Sequence, residues 1–549
     1  MNAALIAVLV LIVYYFGYRF YSSFISRKVY QISDDEVTPA HELEDGVDYV
    51  PCKKEVLFGH HFASIAGAAP IIGPAIAVFW GWLPAIIWVV VGTIFMGAVH
   101  DFGALVLSAR NKGRSVGDLA GIYINPRARI LFLLIVYFLI FFVLAVFAYA
   151  IAALFVKFPS SVLPVNFEIV VALVIGFLFY KKGIPILWPS IIALLLLYFT
   201  IWLGTIYPIT VPEVMGSPIV TWIILLLIYS FIASVLPVWT LLQPRDYINS
   251  HQLIVGLVII FIGLFVARPV MQAPAINISS ENVVPLLPFI FVTIACGAIS
   301  GFHGLVSSGT TSKQLRKMKD ARFIGYGGML GEGILAMVAT LAVAAGIKHS
   351  EWLRHYDSWQ SAASGGIGNF VMGASSFLNA LHIPELVGTT FISVMVISFA
   401  ATSLDTATRI QRLIIGEVGD AYKISILKNR YVGALLAVVP ALLLAILAEA
   451  PGRGPGSGGF LLWPLFGATN QLVGGLTLLL ITIYLQKTGK PFIYTLIPML
   501  FLISMTIVAM VLNFKAFSNN LLLLGLSIIT LALALWLILE AWFAFKKKE

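Results

Sequence analysis

Gly59-His60-His61-Phe62-Ala63-Ser64-Ile65-Ala66-Gly67-Ala68-Ala69-Pro70-Ile71-Ile72-Gly73-Pro74 is the stretch on which the architecture turns. It is apolar enough to lie in lipid, yet its glycines and prolines free backbone polar groups that lipid cannot satisfy. Breaks of this kind persist at membrane depth where they are buried in protein or line a cavity. A second dense stretch runs from Ser230 to Trp239, broken at Pro237 and followed by Gln243-Pro244-Arg245-Asp246-Tyr247. A third is Gly297-Ala298-Ile299-Ser300-Gly301-Phe302-His303-Gly304, continuing into Ser307-Ser308-Gly309-Thr310-Thr311.

The surrounding sequence sets these breaks in a membrane. Only 11% of the 549 residues are charged and 60% are hydrophobic, with a mean hydropathy of +0.98. A soluble domain carries about 25% charged residues. Apolar runs of the ~20 residues needed to cross a ~30 Å hydrocarbon core recur throughout, and about fifteen spans are expected. Among them, 167–180 and 253–266 are short for a crossing, 285–311 reads as one span, and 365–380 reads as a short external helix. Met1–Val13 lacks a basic leader and a small-residue cleavage site, so it is expected to stay as a first helix. Cys52 and Cys296 have neither a disulfide framework nor a metal-ligand spacing, and no metal or cofactor is expected.

Charge placement supports the same layout without using hydropathy. With the N-terminus outside and sides alternating, about 27 Lys and Arg fall on inner loops and 6 on outer ones. This is the positive-inside pattern. It accounts for the +9 net charge without nucleic acid, and puts the chain in the plasma (inner) membrane with lipid around it and the C-terminus cytoplasmic. Counting from the first break gives five helices, and the second break opens another five of opposite orientation. The fold expected is therefore an all-α polytopic membrane protein with a five-plus-five inverted-repeat core and peripheral helices. Its divisions are 1–57 (peripheral helix and loop), 58–207 and 208–430 (repeats), and 431–549 (peripheral helices).

Gly59 to Gly67, His100-Asp101-Phe102, Ser300-Gly301-Phe302-His303 and Ser403-Leu404-Asp405-Thr406 together resemble the peptide transporter carbon starvation (CstA) family. The likeness extends from about Phe58 to Leu485, and the chain is shorter than the family's long members. That family is similar to the amino-acid–polyamine–cation transporters with a LeuT-like five-plus-five fold. The resemblance implies uptake of short peptides or of pyruvate, the latter with protons.

An ionisable residue inside a span costs roughly 2.5–3.5 kcal/mol on the insertion scale, so each calls for a reason. His303, between Gly301 and Gly304, can exchange a proton near neutral pH or serve as a hydrogen-bonded packing residue. His60, His61, His100, Asp101 and Glu332 join it as proton-coupling candidates. His100 and Asp101 are adjacent on one helix, so their partners are expected on other helices. Asp405 and Arg409, four apart, read as a simple helix-end pair. A substrate carboxylate suits an unwound 66–74 segment, where backbone N–H groups and a half-helix N-terminus stabilise an anion. Ser64, Gly67, Ala68, Pro70, Gly73, Ser300, Gly301 and His303 are the substrate-site candidates. Ser307, Ser308, Thr310 and Thr311 either coordinate a sodium ion or bond back to their own helix. Proton and sodium coupling both stay open.

No Gly-x-Ser-x-Gly elbow, His-Glu-x-x-His or Walker motif is present, which argues against an intramembrane enzyme or an ATP-driven pump. A channel or a nutrient-sensing membrane receptor is the competing class. Alternating access between two broken helices fits the long, internally inverted chain best.

Overall fold

The computed structural model describes residues 1–33, 35–46, 48–182, 187–237, 240–277 and 284–546, and every named element among them is helical. Thirteen helices are long and apolar enough to cross a membrane. They are α1 (Ala3–Val29), α4 (Trp82–Arg110), α5 (Pro126–Lys157), α6 (Val162–Lys182), α7 (Leu187–Ile206), α8 (Pro218–Val235), α9 (Leu242–Ala267), α12 (Arg322–Gly346), α14 (Glu385–Ala421), α15 (Arg430–Leu447), α16 (Gly458–Lys487), α17 (Ile493–Phe517) and α18 (Leu521–Lys546). A bent pair, α2 (Lys54–Ile65) and α3 (Ala69–Trp80), makes a further crossing with a 50° kink.

The segment expected as one span at 285–311 is also broken. α10 (Leu286–Thr293) stops, residues 294–300 are non-helical, and α11 (Gly301–Val306) continues through a π turn at Ser307–Thr311. Counting it as a crossing agrees with the expectation of about fifteen. The two spans expected to be short are full length, 21 residues for α6 and 26 for α9. Polar residues at their ends (Asn166 and Glu168 in one, Gln243 to Asn249 in the other) depress the local hydropathy without ending the helix. A helix is present at the expected short segment as α13 (Trp359–Asn379) and does not qualify as a crossing.

The expected break at Pro237 is a correction. Ser230–Val235 is the continuous end of α8 and α9 begins at Leu242, so Pro237 lies past a helix end, with Val238 and Trp239 outside the described residues. The first break is also shorter than expected: only Ala66–Ala68 leave the helix, while Pro70 opens α3 in its first turn, where the missing N–H is harmless.

Helix contacts repeat in an inverted pattern. α9 packs on α2 as α16 packs on α11, α8 packs on α5 as α15 packs on α14, and α5 meets α16 as α14 meets α9. α5 with α14, and α8 with α15, are the pairs that map onto themselves. We propose repeats of residues 54–267 and 286–487, with the hairpin α6–α7 inserted in the first, in place of divisions at 207 and 430. α1, α17 and α18 are then peripheral.

Two glycines let the broken spans cross closely. Gly297 has φ +91°, a conformation that a side chain resists, and a Cβ there would stand 2.6 Å from that of Ala336. A Cβ on Gly73 would collide with the backbone carbonyl oxygen of Thr293. Backbone cannot move aside as a side-chain tip can. Gly73→Ala should therefore destabilise the protein by about 1–3 kcal/mol, read as a lower thermal midpoint in detergent. A midpoint equal to wild type would show that the crossing has slack.

Candidate functional site

A π turn at Thr93–Gly97 resets the register of α4 just before His100 and Asp101, both fully buried. Asp101 accepts from two imidazoles, through Oδ1 from His100 Nδ1 (2.7 Å) and through Oδ2 from His303 Nδ1 (2.9 Å). An ionised carboxylate only accepts, so each Nδ1 carries the proton. On the far side of His303, Nε2 lies 3.4 Å from Glu332 Oε2. Glu332 Oε1 accepts the backbone N–H of Gly297 at 3.1 Å. Four ionisable side chains thus form one buried chain from α4 through α11 to α12, all at 0% exposure.

Side chains also satisfy the backbone freed at the second break. Asn470 of α16 accepts from Phe302 N–H (3.0 Å) and donates to Ser300 Oγ (3.0 Å) and Cys296 Sγ (3.1 Å). Thr93 Oγ1 donates to Gly297 O (2.9 Å). Glu332 therefore ties the break to α12, Asn470 to α16 and Thr93 to α4. Cys296, His303 and Glu332 bring donor atoms within 4.8 Å of one another. The Cys296 thiol also bonds Ser300 and Asn470.

A second buried cluster lies where α2, α6, α8, α9 and α14 meet. Arg245, at 0% exposure, pairs with Asp405 and lies 3.5 Å from Glu168. It also donates to Tyr229 (2.7 Å), whose hydroxyl donates to Asp405 (2.8 Å). Ser398 Oγ donates to Glu168 (2.6 Å), and His60 Nδ1 meets the neighbouring Asp246 at 2.8 Å. The first broken span is held to α9 by that last pair.

At the end of the bundle that carries the basic loops, a cavity of about 730 Å³ opens between α5, residues 113–118, α14 and residues 305–313. A smaller one of about 30 Å³ reaches from Arg409 to His60 and Asp246.

The sequence profile described as carbon starvation protein CstA matches residues 2–358 and 347–509. The chain belongs to the carbon starvation protein CstA family. Relatives in the family include the peptide transporter CstA of Campylobacter jejuni, 32% identical over 92% of this chain and 79% of its own. That of Bacillus subtilis is 32% identical over 89% and 86%. The pyruvate/proton symporter BtsT of Escherichia coli is 37% identical over 60% of this chain and 48% of its own. Among solved structures, a mutant Eremococcus coleocola manganese transporter superposes with a TM-score of 0.53 at 11% identity, covering 91% of this chain and 99% of its own. MhsT in complex with L-phenylalanine gives 0.50 at 13%, covering 89% and 99%. At such identities these two speak to the fold alone, which is five-plus-five within an integral membrane protein.

Of the proton-coupling candidates, the structure gathers His100, Asp101, His303 and Glu332. His61 bonds Thr311 Oγ1 (2.9 Å) and lies within electrostatic reach of Asp101 and His303, and His60 belongs to the second cluster. The expectation that the partners of His100 and Asp101 lie on other helices is half corrected, because the two bond each other and Asp101 alone also bonds His303. The hydroxyls do not converge. Ser308 donates to Gly304 O (2.8 Å), Thr310 to Val306 O (3.0 Å), Thr311 meets His61, and Ser307 Oγ has no partner among the described residues. Of the substrate candidates, Gly67 is covered by Ser403 and Phe147, Pro70 abuts Gly297, Gly73 abuts Thr293, and Gly301 abuts Asn470. Ser300 is held by Asn470, and Ser64 Oγ and Ala68 are buried beside the first break. Asp405 and Arg409 do not pair: Asp405 faces Arg245, and Arg409 reaches Asp48 at 3.1 Å. Arg245, Asp246, Glu168, Tyr229 and Asn470 were not anticipated. Glu168 in an apolar run and Arg245-Asp246 beside one were the available signals.

Proposed function

We propose that this chain is a secondary active transporter that imports a small carboxylate-bearing nutrient, short peptides or pyruvate, by proton symport with alternating access. The observation that carries the reading is the buried chain His100–Asp101–His303–Glu332, which ties the second break to α4 and α12. A proton gained or lost there changes the charge of a water-excluded junction between the two halves, and so biases which side is open. The names of the relatives support the substrate class. In this reading the basic-loop end is cytoplasmic and the N-terminus is outside. An inward positive charge then gains about 2.3 kcal/mol per 100 mV.

Purified protein in liposomes tests the reading, with labelled pyruvate and a labelled dipeptide under a pH gradient and then a sodium gradient. Uptake of one substrate should follow the pH gradient and collapse with a protonophore. Uptake that persists with protonophore and requires sodium would replace the coupling ion, and no gradient-driven uptake of either would remove the substrate class. His303→Ala and Glu332→Gln should each lower accumulation at least about tenfold, the equivalent of 1.4 kcal/mol. Full accumulation in both variants would take these residues out of coupling.

A further inference from the structure

Arg409 stands where the 730 Å³ cavity and the 30 Å³ cavity meet, bordering both. It is only 8% exposed, and yet Nε and Nη1 have no hydrogen-bond partner among the described residues. Its one ion pair among the described residues runs from Nη2 to Asp48, on the loop between α1 and α2. A guanidinium carries five N–H donors in a fixed fork suited to carboxylates, and each buried donor left unmade costs about 1–3 kcal/mol. A helix that holds such a group at a cavity wall is built for an acceptor that arrives from outside.

The charge around it points to the kind of acceptor. Asp118 is paired with Arg129 (2.7 Å) and Asp420 with Lys428. Arg114, Lys313 and Arg412 line the large cavity with no carboxylate partner among the described residues. Lys313 lies instead over the Tyr49 ring, and Arg412 donates to the Ser234 carbonyl (2.8 Å). Glu417, which accepts from Ser115 (3.1 Å), is the acidic exception. The wall is therefore electropositive, and the cavity falls in the ~300–1,000 Å³ range of small-ligand sites.

We infer that Arg409 is the carboxylate-binding group of a substrate site at the inner mouth, one that takes a small monocarboxylate or a peptide C-terminus between the broken helices and the cytoplasm. This rests on the transport reading above. Asp48 supplies an internal carboxylate to the same guanidinium, so substrate and Asp48 compete for Nη2. Substrate arrival then displaces the Asp48 carboxylate, and substrate departure lets it return.

The test measures equilibrium binding of labelled pyruvate and labelled dialanine to the full-length protein in detergent, in competition with pyruvamide and dialanine amide. Wild type should favour the carboxylate over its amide about ten- to a hundredfold, as expected for hydrogen bonds to a charged group. Arg409→Gln should reduce that preference to within about threefold and Arg409→Lys should keep part of it. Asp48→Asn should tighten carboxylate binding severalfold. An unchanged carboxylate preference in Arg409→Gln overturns the assignment, as does a wild type that binds neither probe. Weaker binding in Asp48→Asn overturns the competition. Carboxylate binding that depends on Arg409, in a protein without gradient-driven uptake, would sink the transport reading and leave this site standing.

Discussion

In proteoliposomes, Asp101→Asn should bring gradient-driven uptake of labelled pyruvate or dipeptide down to the protein-free background. Asp101 is the one carboxylate that both His100 and His303 donate to, at 2.7 and 2.9 Å. Asparagine keeps nearly the same shape but brings no charge and only one acceptor oxygen. Removing one partner from a buried pair costs about 3–5 kcal/mol, roughly two to three and a half orders of magnitude in any equilibrium that depends on it. In the transport reading proposed above, that equilibrium is the protonation-linked balance between outward- and inward-open forms. Asp357→Asn, the same change at an exposed position, serves as the control and should transport normally. Asp101→Asn uptake within about twofold of wild type would mean that the chain is packing and that coupling lies elsewhere.

Arg245→Met should lower stability by about 3–5 kcal/mol, read as a large fall in the thermal midpoint in detergent. Arg245 is the cation set between Asp405 and Glu168, and all three are at most 2% exposed. Without it, two carboxylates and the Tyr229 hydroxyl stay buried with no compensating charge. The triple variant Arg245→Met/Asp405→Asn/Glu168→Gln removes the charges together and should recover most of the loss, since a buried ionic group exchanged whole is often near neutral. If the single variant melts with wild type, water reaches the cluster and the burial argument fails. If the triple variant is as unstable as the single, the packing of the long side chain is what matters.

The membrane layout was legible because lipid leaves little choice: an apolar run of sufficient length crosses, and basic loops stay on one side. Gly59 to Pro74 announced a broken span for the same reason. Pro237 misled because a proline just past a helix end looks in sequence like a proline inside a break. Only tertiary contacts show that the second break lies near Gly297 and that α6–α7 is a hairpin set between corresponding helices. The site was half legible. His303, Asp101 and Glu332 could be named as costly residues, but Asp101 meets a partner 202 positions away, and no local spacing foretells that. The serine and threonine hydroxyls at 307–311 turned on a single rotamer each. Asp405 and Arg409 sit at helix-pair spacing, yet a buried arginine on another helix outcompetes the neighbour four residues on.

α14 runs 37 residues, Glu385–Ala421, which at 1.5 Å per residue is about 55 Å. A hydrocarbon core of ~30 Å covers little more than half of it, so the remainder stands clear of the lipid as a rigid arm. Its middle is gripped by the Arg245 cluster through Asp405, and about one turn farther on Arg409 begins the wall of the large cavity. A pivot of about 5° at the grip swings each tip by roughly 2 Å for a rod of this length. The helix is in effect a lever with its fulcrum in the membrane, able to turn a slight change of tilt among buried charges into a change of aperture at the water-facing end.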